Sequence, residues 1–447
     1  MKWSYKDMET RVVLLCIVLA TSLYILNNHF LDTADAKPLP SMKYAFLNGT
    51  EQQSVGDSSR PFLGVNMRGY YTSMPQMREG FKDFPSNYYE SSFETLASTG
   101  IMDHVRYRFY WEAYERNSTA FLKEIKDVAK TADKYGIKVI YDNHQFHTSS
   151  WLNLKRGTGF PAYLFNDTTV LYEQGSGGAP KSNAAVTWWS NWWNRDIRAV
   201  NGTDGWILQL EFLKRIVSTV DKHPSTVGYE ILSEPQVHNE DQWTKIGKYN
   251  TFMTNELRKI TDKTLVYSMN IPIDLKSTIN VTSSNLVKMF PHNKENAVFK
   301  FSLYGIPSGG YQSDKLQLFE NASRIAGIPL YIGEWNNIKR VETYNEKGEK
   351  VWEIDETLSD ISQGDANKIV GKFKEIGIWG LAYWEWSFVA NDTPNFNLVN
   401  ITYNNQTGTQ LIQPTEYFTI IKNAYAKLFG QSLQPVIPIA SKQALPY

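Results

Sequence analysis

Two stretches of this 447-residue chain place a glutamate at the end of an apolar, β-forming run. Residues 226–232 (TVGYEIL) lead into Ser233-Glu234-Pro235, and residues 328–333 (IPLYIG) lead into Glu334-Trp335. A single charged residue after an apolar strand is ordinarily a solvated loop residue. Two of them, on the fourth and seventh of eight comparable runs, stand on opposite sides of the mouth if those runs close into a barrel. Opposed carboxyls are what the hydrolysis of a glycosidic bond requires. One stays ionised at the anomeric centre while the other carries the proton that releases the leaving group, and in retaining enzymes the two stand about 5–5.5 Å apart.

The elements that would position this pair are legible along the chain. Candidate strands occupy 61–67, 102–109, 137–143, 226–232, 264–270, 297–304, 328–333 and 378–386. Between several of them lie helical patterns with apolar residues three or four apart. Phe121, Ile125, Val128 and Ala132 form one such face, closed by Gly136, and Leu210, Leu213, Val217 and Val220 form another. The connection 271–296 is poorly helical. Alternation of eight strands with helices predicts an α/β fold, a (β/α)8 TIM barrel over 60–430. An open, doubly wound sheet competes with it, but no glycine-rich phosphate loop follows the first strand. The largest insertion is 145–205, where Trp188, Trp189, Trp192 and Trp193 cluster. They are either a satellite core of their own or a wall that meets sugar. Together with Trp384 and Trp386, this insertion is expected to line an open groove if cleavage is internal.

The motifs of these strands resemble, in order and over about residues 60–425, glycoside hydrolase family 5, the cellulase family of clan A. Val65-Asn66 is similar to the pair that ends strand one of that family. Arg106 resembles the strand-two arginine that holds the nucleophile. Asp142-Asn143-His144 resembles the Asp-x-His motif whose histidine lines the cleft. The segment Tyr229 to Pro235 resembles the acid/base strand, which implies that Glu234 is the proton donor, and Ile332 to Trp335 resembles the nucleophile strand, which implies the other role for Glu334. Trp384-Glu385-Trp386 followed by Asn391-Asp392-Thr393 resembles the segment supplying the sugar platform. Trp384 and Trp386 are expected on one face, with Trp384 as the platform. The chain departs from the family pattern twice. Ser233 stands where asparagine usually binds the sugar 2-hydroxyl, and Ser302 stands where the strand-six motif has histidine, while Tyr304, which touches the nucleophile, is kept. The resemblance implies a retaining hydrolase of β-linked polysaccharide, an endo-β-1,4-glucanase first. A β-mannanase or exo-β-glucosidase of the same clan is the alternative, and the two serines also admit an inactive glycan-binding protein.

Other residues have ordinary readings beside the functional ones. His144 could be a structural histidine under the 145–205 loop, and Arg106 or Arg108 could serve a structural ion pair. His144 and His147 form an H-x-x-H pair, but no third ligand is suggested and no metal or cofactor is expected. Lys plus Arg and Asp plus Glu number 46 each, which argues against nucleic acid as a partner and leaves a saccharide substrate and a monomer as the expectation. The lone cysteine, Cys16, sits in the apolar run Val12–Leu26 behind Lys2, Lys6 and Arg11, so a disulfide framework and a thiol nucleophile are excluded downstream. That run, shorter than the roughly 20 residues of a spanning helix, fits a signal peptide within 1–36, with Ala34-Asp35-Ala36 as cleavage site, or else an uncleaved membrane anchor. Residues 37–59 would be a linker and 431–447 an extended tail. Nine Asn-x-Ser/Thr sequons, at Asn48, Asn117, Asn166, Asn201, Asn280, Asn321, Asn391, Asn400 and Asn405, accord with a secreted or outward-facing glycoprotein.

Overall fold

The computed structural model describes residues 60–430, except 76–86, 181, 270–280, 305–309, 338–339, 345–349, 355–360, 388–396, 405 and 408. The leader, the linker, the tail, Asn391-Asp392-Thr393 and the sequons at Asn48, Asn280 and Asn405 lie outside the described residues. Among those described, Asn117, Asn166, Asn201 and Asn400 are exposed and Asn321 is partly so. No helix among the described residues is long and apolar enough to cross a membrane.

Eight parallel strands close into a barrel: β1 (Phe62–Arg68), β2 (His104–Phe109), β3 (Lys138–Asn143), β4 (Thr226–Glu230), β5 (Thr264–Ser268), β6 (Ala297–Tyr304), β7 (Leu330–Asn336) and, after a hairpin, a last strand Gly380–Tyr383 that pairs with both β7 and β1. The hairpin strands are β8 (Arg340–Tyr344) and β9 (Lys350–Ile354), the closing strand is β10, and a second hairpin joins β11 (Val399–Asn404) to β12 (Thr409–Pro414). Closure of the ring sets aside the open sheet and yields the (β/α)8 barrel expected.

The helices follow from local signals. Helix α1 is Tyr88–Ser98, α2 is Trp111–Arg116 and α3 is Ser118–Tyr135. Asn117 caps α3 by accepting from the Ala120 N–H at 3.0 Å, and Gly136 ends it in the left-handed conformation (φ 69°) that a residue without Cβ adopts freely. Its buried stripe includes Phe121, Ile125, Val128 and Ala132. In the insertion come α4 (Tyr163–Asn166) and α5 (Asn183–Asn194), then α6 (Gly205–Val220), capped by Asp204. Helices α7 (Gln242–Leu257), α8 (Ser283–Lys288), α9 (Gly310–Ala326), α10 (Gln363–Glu375) and α11 (Glu416–Phe429) complete the set.

Of the two readings of the tryptophan cluster, the structure selects packing. Trp188, Trp189 and Trp192 are fully buried and Trp193 nearly so. Trp188 stacks on Phe165 and on Trp192 with ring centroids 5.1 and 5.2 Å apart, and Trp193 meets Tyr249 of α7 edge-on. The insertion therefore builds its own core against α7 and presents none of these rings to a ligand. Replacing Trp188 with Ala is expected to cost about 3–5 kcal/mol of stability, with KM unaltered. Denaturant titration beside steady-state kinetics checks this, and unaltered stability with a raised KM would return the ring to the substrate.

Inside the barrel, the alternation of strand side chains stacks two unlike layers. Ile140, Val266, Val298, Tyr331 and Ala382 form a dry inner cluster. Two residues farther along the same strands, or beside them, the interior turns ionic with Arg106, Asp142, Glu230 and Lys300, all fully buried. Water cannot satisfy charges at that depth, so they must satisfy one another.

Candidate active site

Arg106 is the hub of the ionic layer. Its Nε donates to Glu230 at 2.7 Å, Nη1 to Asn66 Oδ1 at 2.8 Å and to Glu334 Oε1 at 2.9 Å, and Nη2 to Ser233 Oγ at 2.9 Å. Its Nη2 also pairs with Asp142 at 2.8 Å. Burial works against the cation, but Asp142, Glu230 and Glu334 outweigh it and hold the guanidinium charged. Removing this arginine would leave three buried carboxylates short of a partner, which makes it a structural as well as a site residue.

Glu334 reaches the site through an irregularity in β7. Against β6, Phe301 faces Ile332 but Ser302 faces Glu334, so the register skips Gly333. A bulge of this kind re-aims the side chain that follows it. Tyr331 points into the barrel, and strict alternation would turn Glu334 outward; the shift brings it in. Its Oε1 accepts from Arg106 and from Lys300 Nζ, each at 2.9 Å, and Tyr304 donates to Oε2. Burial alone would raise its pKa, yet Lys300, Arg106 and the donors around it hold the carboxyl well below the usual range, ionised throughout ordinary conditions. Tyr304 is itself pushed up by burial and by Glu334, and stays a donor.

Glu234 is held differently. It follows β4 in a left-handed backbone conformation (φ 45°), sparsely populated for a residue with a Cβ and typical of sites where position matters more than local ease. Its N–H donates to Ser268 Oγ at 3.0 Å and its carbonyl accepts from Gln145 at 2.8 Å, which pins the loop. The Glu234 side chain is 23 % exposed against 4 % for Glu334. Its Oε1 accepts from Ser302 Oγ and lies 3.8 Å from Lys300 Nζ. One ammonium thus stands within 4 Å of both glutamates, and their nearest oxygens are no farther apart than its two contacts combined.

The remaining candidates divide. His144 donates from Nδ1 to Asp142 at 2.8 Å and lies nearly parallel to Trp384, ring centroids 5.9 Å apart. Burial drives its pKa down to about 3, so it is neutral, and Asp142 is raised to about 6 by the same cause. Trp384 is partly exposed and has the Arg108 guanidinium 4.0 Å over its ring. Arg108 pairs with Glu385, so both arginines of β2 serve ion pairs. Trp386 is not beside Trp384. It is fully buried against Phe418, with Nε1 donating to Ser92 at 3.1 Å, and it belongs to the outer core rather than to a sugar platform. The expectation of a shared face assumed continuing strand alternation, but β10 ends at Tyr383 and alternation ends with it. Ser233 is wholly buried and accepts from Arg106, and His147 lies with Asn153 and Phe146 in the insertion. Lys300 and Glu230 were not singled out from the sequence. In AVFKFSLY a lysine amid apolar residues reads as an outward, solvated side chain, and only alternation in step with Ser302 and Tyr304 gives it away.

A (β/α)8 barrel with two glutamates gathered at the ends of strands four and seven defines a class of barrel hydrolase. A family model described as Cellulase (glycosyl hydrolase family 5) matches residues 57–387, and the chain belongs to that family. It is therefore a glycoside hydrolase acting on carbohydrate. The fold is similar to an endogalactoceramidase (16% identity, TM-score 0.56, covering 82% of this chain and 80% of that one). It is also similar to endo-glycoceramidase II from Rhodococcus sp. in complex with a five-membered iminocyclitol (14%, TM-score 0.56, 81% and 78%) and to XacCel5A (13%, TM-score 0.51, 82% and 99%). No curated protein matches the chain in sequence.

Proposed function

We propose that the protein is a retaining, endo-acting β-glycosidase of β-1,4-linked glucan, with Glu334 as nucleophile and Glu234 as acid/base. The observation that carries this is the asymmetry of the two glutamates around shared cations: one sealed, ionised and held by Arg106, Lys300 and Tyr304, the other more open. In the first step an oxygen of Glu334 bonds to the anomeric carbon, the glycosidic C–O bond breaks, and the departing oxygen takes the proton of Glu234. In the second, water gives a proton to Glu234 and bonds to the anomeric carbon, and the ester bond to Glu334 breaks. One ammonium within 4 Å of both carboxyls caps their separation near the lower edge of the roughly 6.5–9.5 Å that inversion uses to seat a water, and a retaining course lies below that edge. Trp384, partly exposed beside His144, offers an aromatic face for the sugar.

A second reading is favoured by Phe146. This ring is 46 % exposed on the loop where the neighbouring Gln145 holds Glu234, and it offers an apolar surface near the acid/base loop. One of the similar structures is an endogalactoceramidase and another an endo-glycoceramidase, so a glycan β-linked to a lipid is the alternative substrate. Release of reducing ends from soluble β-1,4-glucan, β-mannan and a glycosylceramide separates the readings. Shortening of the glucan with retained anomeric configuration is expected. Intact oligosaccharide freed from the lipid alone would favour the second reading, mannan cleavage or single glucose units would move the specificity, and binding without turnover would leave a lectin.

A further inference from the structure

Strand β6 sends Val298, Lys300, Ser302 and Tyr304 to the barrel interior in alternate positions, and three of the four contact the two glutamates. Lys300 is wholly buried. Its Nζ lies 2.9 Å from Glu334 Oε1, 3.1 Å from Ser302 Oγ, and 3.8 Å from both Glu230 Oε1 and Glu234 Oε1. Its stem crosses Gly333, the residue before Glu334. A Cβ at that glycine would stand 2.6 Å from Lys300 Cγ and 2.7 Å from Cε, closer than packed carbons come. The bare backbone at 333 and the lysine at 300 therefore depend on each other.

The partners of the two cations differ. Arg106 is committed to Asp142, Glu230 and Glu334, and among the described residues Lys300 is the cation that reaches Glu234. The proposed reaction moves one negative charge between the two glutamates. Before attack Glu334 is the anion and Glu234 holds the proton. Once Glu334 is esterified its charge is gone, and Glu234, having given its proton to the leaving group, becomes the anion. An ammonium in reach of both sees one negative charge on this pair throughout, with only its position changed.

We propose that Lys300 is a positioning residue that balances this charge transfer, stabilising Glu334 as the anion in the free enzyme and Glu234 as the anion in the glycosyl-enzyme. The inference rests on the roles assigned above to the two glutamates. It explains why loss of histidine at position 302 is compatible with an intact pair: a serine there relays Lys300 to Glu234, donating to the carboxylate while accepting from the ammonium. Among the described residues, the charged and titratable groups facing Lys300 and Glu334 include Arg106 and Arg108 from β2 and Tyr110 just after it, Asp142 from β3 and His144 just after it, Glu230 and Glu234 from β4 and its loop, and Tyr304 from β6. Burial and Arg106 oppose the ammonium, and Glu334, Glu230 and Glu234 together outweigh them.

The test is Lys300→Met in the full chain, with Lys300→Met/Glu230→Gln to keep the buried charge in balance should the single variant fold poorly. With a 2,4-dinitrophenyl β-cellobioside, both variants are expected to show a burst of phenol followed by slow turnover, the second step falling on the order of 10²-fold. Lys300 lowers the pKa of Glu334, so its loss should also move the acid limb of kcat/KM to higher pH. A wild type that leaves this substrate untouched would count against the proposed function itself. Against an active wild type, a folded variant with no burst, an unchanged ratio of the two steps and an unmoved acid limb would overturn the role of Lys300. Failure of even the charge-balanced variant to fold would overturn it too, assigning the residue to stability.

Discussion

Glu334→Gly is expected to lose turnover by on the order of 10⁶-fold, the scale on which removing a covalent nucleophile acts. The reason for expecting rescue is in the geometry. Arg106 Nη1 and Lys300 Nζ each lie 2.9 Å from the same oxygen of Glu334, so its removal leaves two buried cations around a vacant space. A small anion such as azide or formate is drawn there and stands where the carboxylate stood. Attack from that side displaces the leaving group once, so the rescued glycosyl azide should carry the inverted anomeric configuration, read by NMR of the product. Full activity in this variant would mean that Glu334 is no nucleophile.

The second large effect is expected at Glu234 and depends on the substrate. A general acid contributes about 10²–10⁴-fold, and most where the leaving group is too basic to depart as an anion. Glu234→Ala should therefore nearly abolish cleavage of an unactivated β-glucan and leave formation of the intermediate from a dinitrophenyl glycoside almost intact. The intermediate then accumulates, because no base remains to activate water. Added azide needs no base and should speed turnover with a product of retained configuration, after two displacements in place of one. Inverted azide product from this variant, with retained product from the Glu334 variant, would exchange the two roles.

Much of this was legible along the chain. Eight apolar runs alternating with helical stripes describe a barrel because strand and helix periodicities are local properties of side-chain direction. All eight barrel strands begin within two residues of the expected starts, and β10 is the shortest, its expected run continuing beyond the strand as a loop. Glu234, Glu334 and Tyr304 are legible as charged or polar residues at strand ends and Arg106 as an arginine within strand two, and the tertiary structure gathers them around one carboxylate cluster.

What the sequence could not determine depends on direction. The tryptophans of 188–193 lie on a helix, but only the position of α7 and Phe165 shows that they pack inward. Trp386 follows Trp384 by two residues, yet once the strand has ended that spacing no longer implies a common face. Glu334 and Tyr331 are an odd number of residues apart, and both point inward only because the ladder skips Gly333. Lys300 is the clearest case. Nothing in its charge points it inward, and the closed barrel places it at the centre, where Glu334, Glu230 and Glu234 hold the ammonium against burial and the neighbouring Arg106. Local periodicity determined which elements form. Closure of the ring, and the mutual neutralisation that burial demands, decided which charges meet.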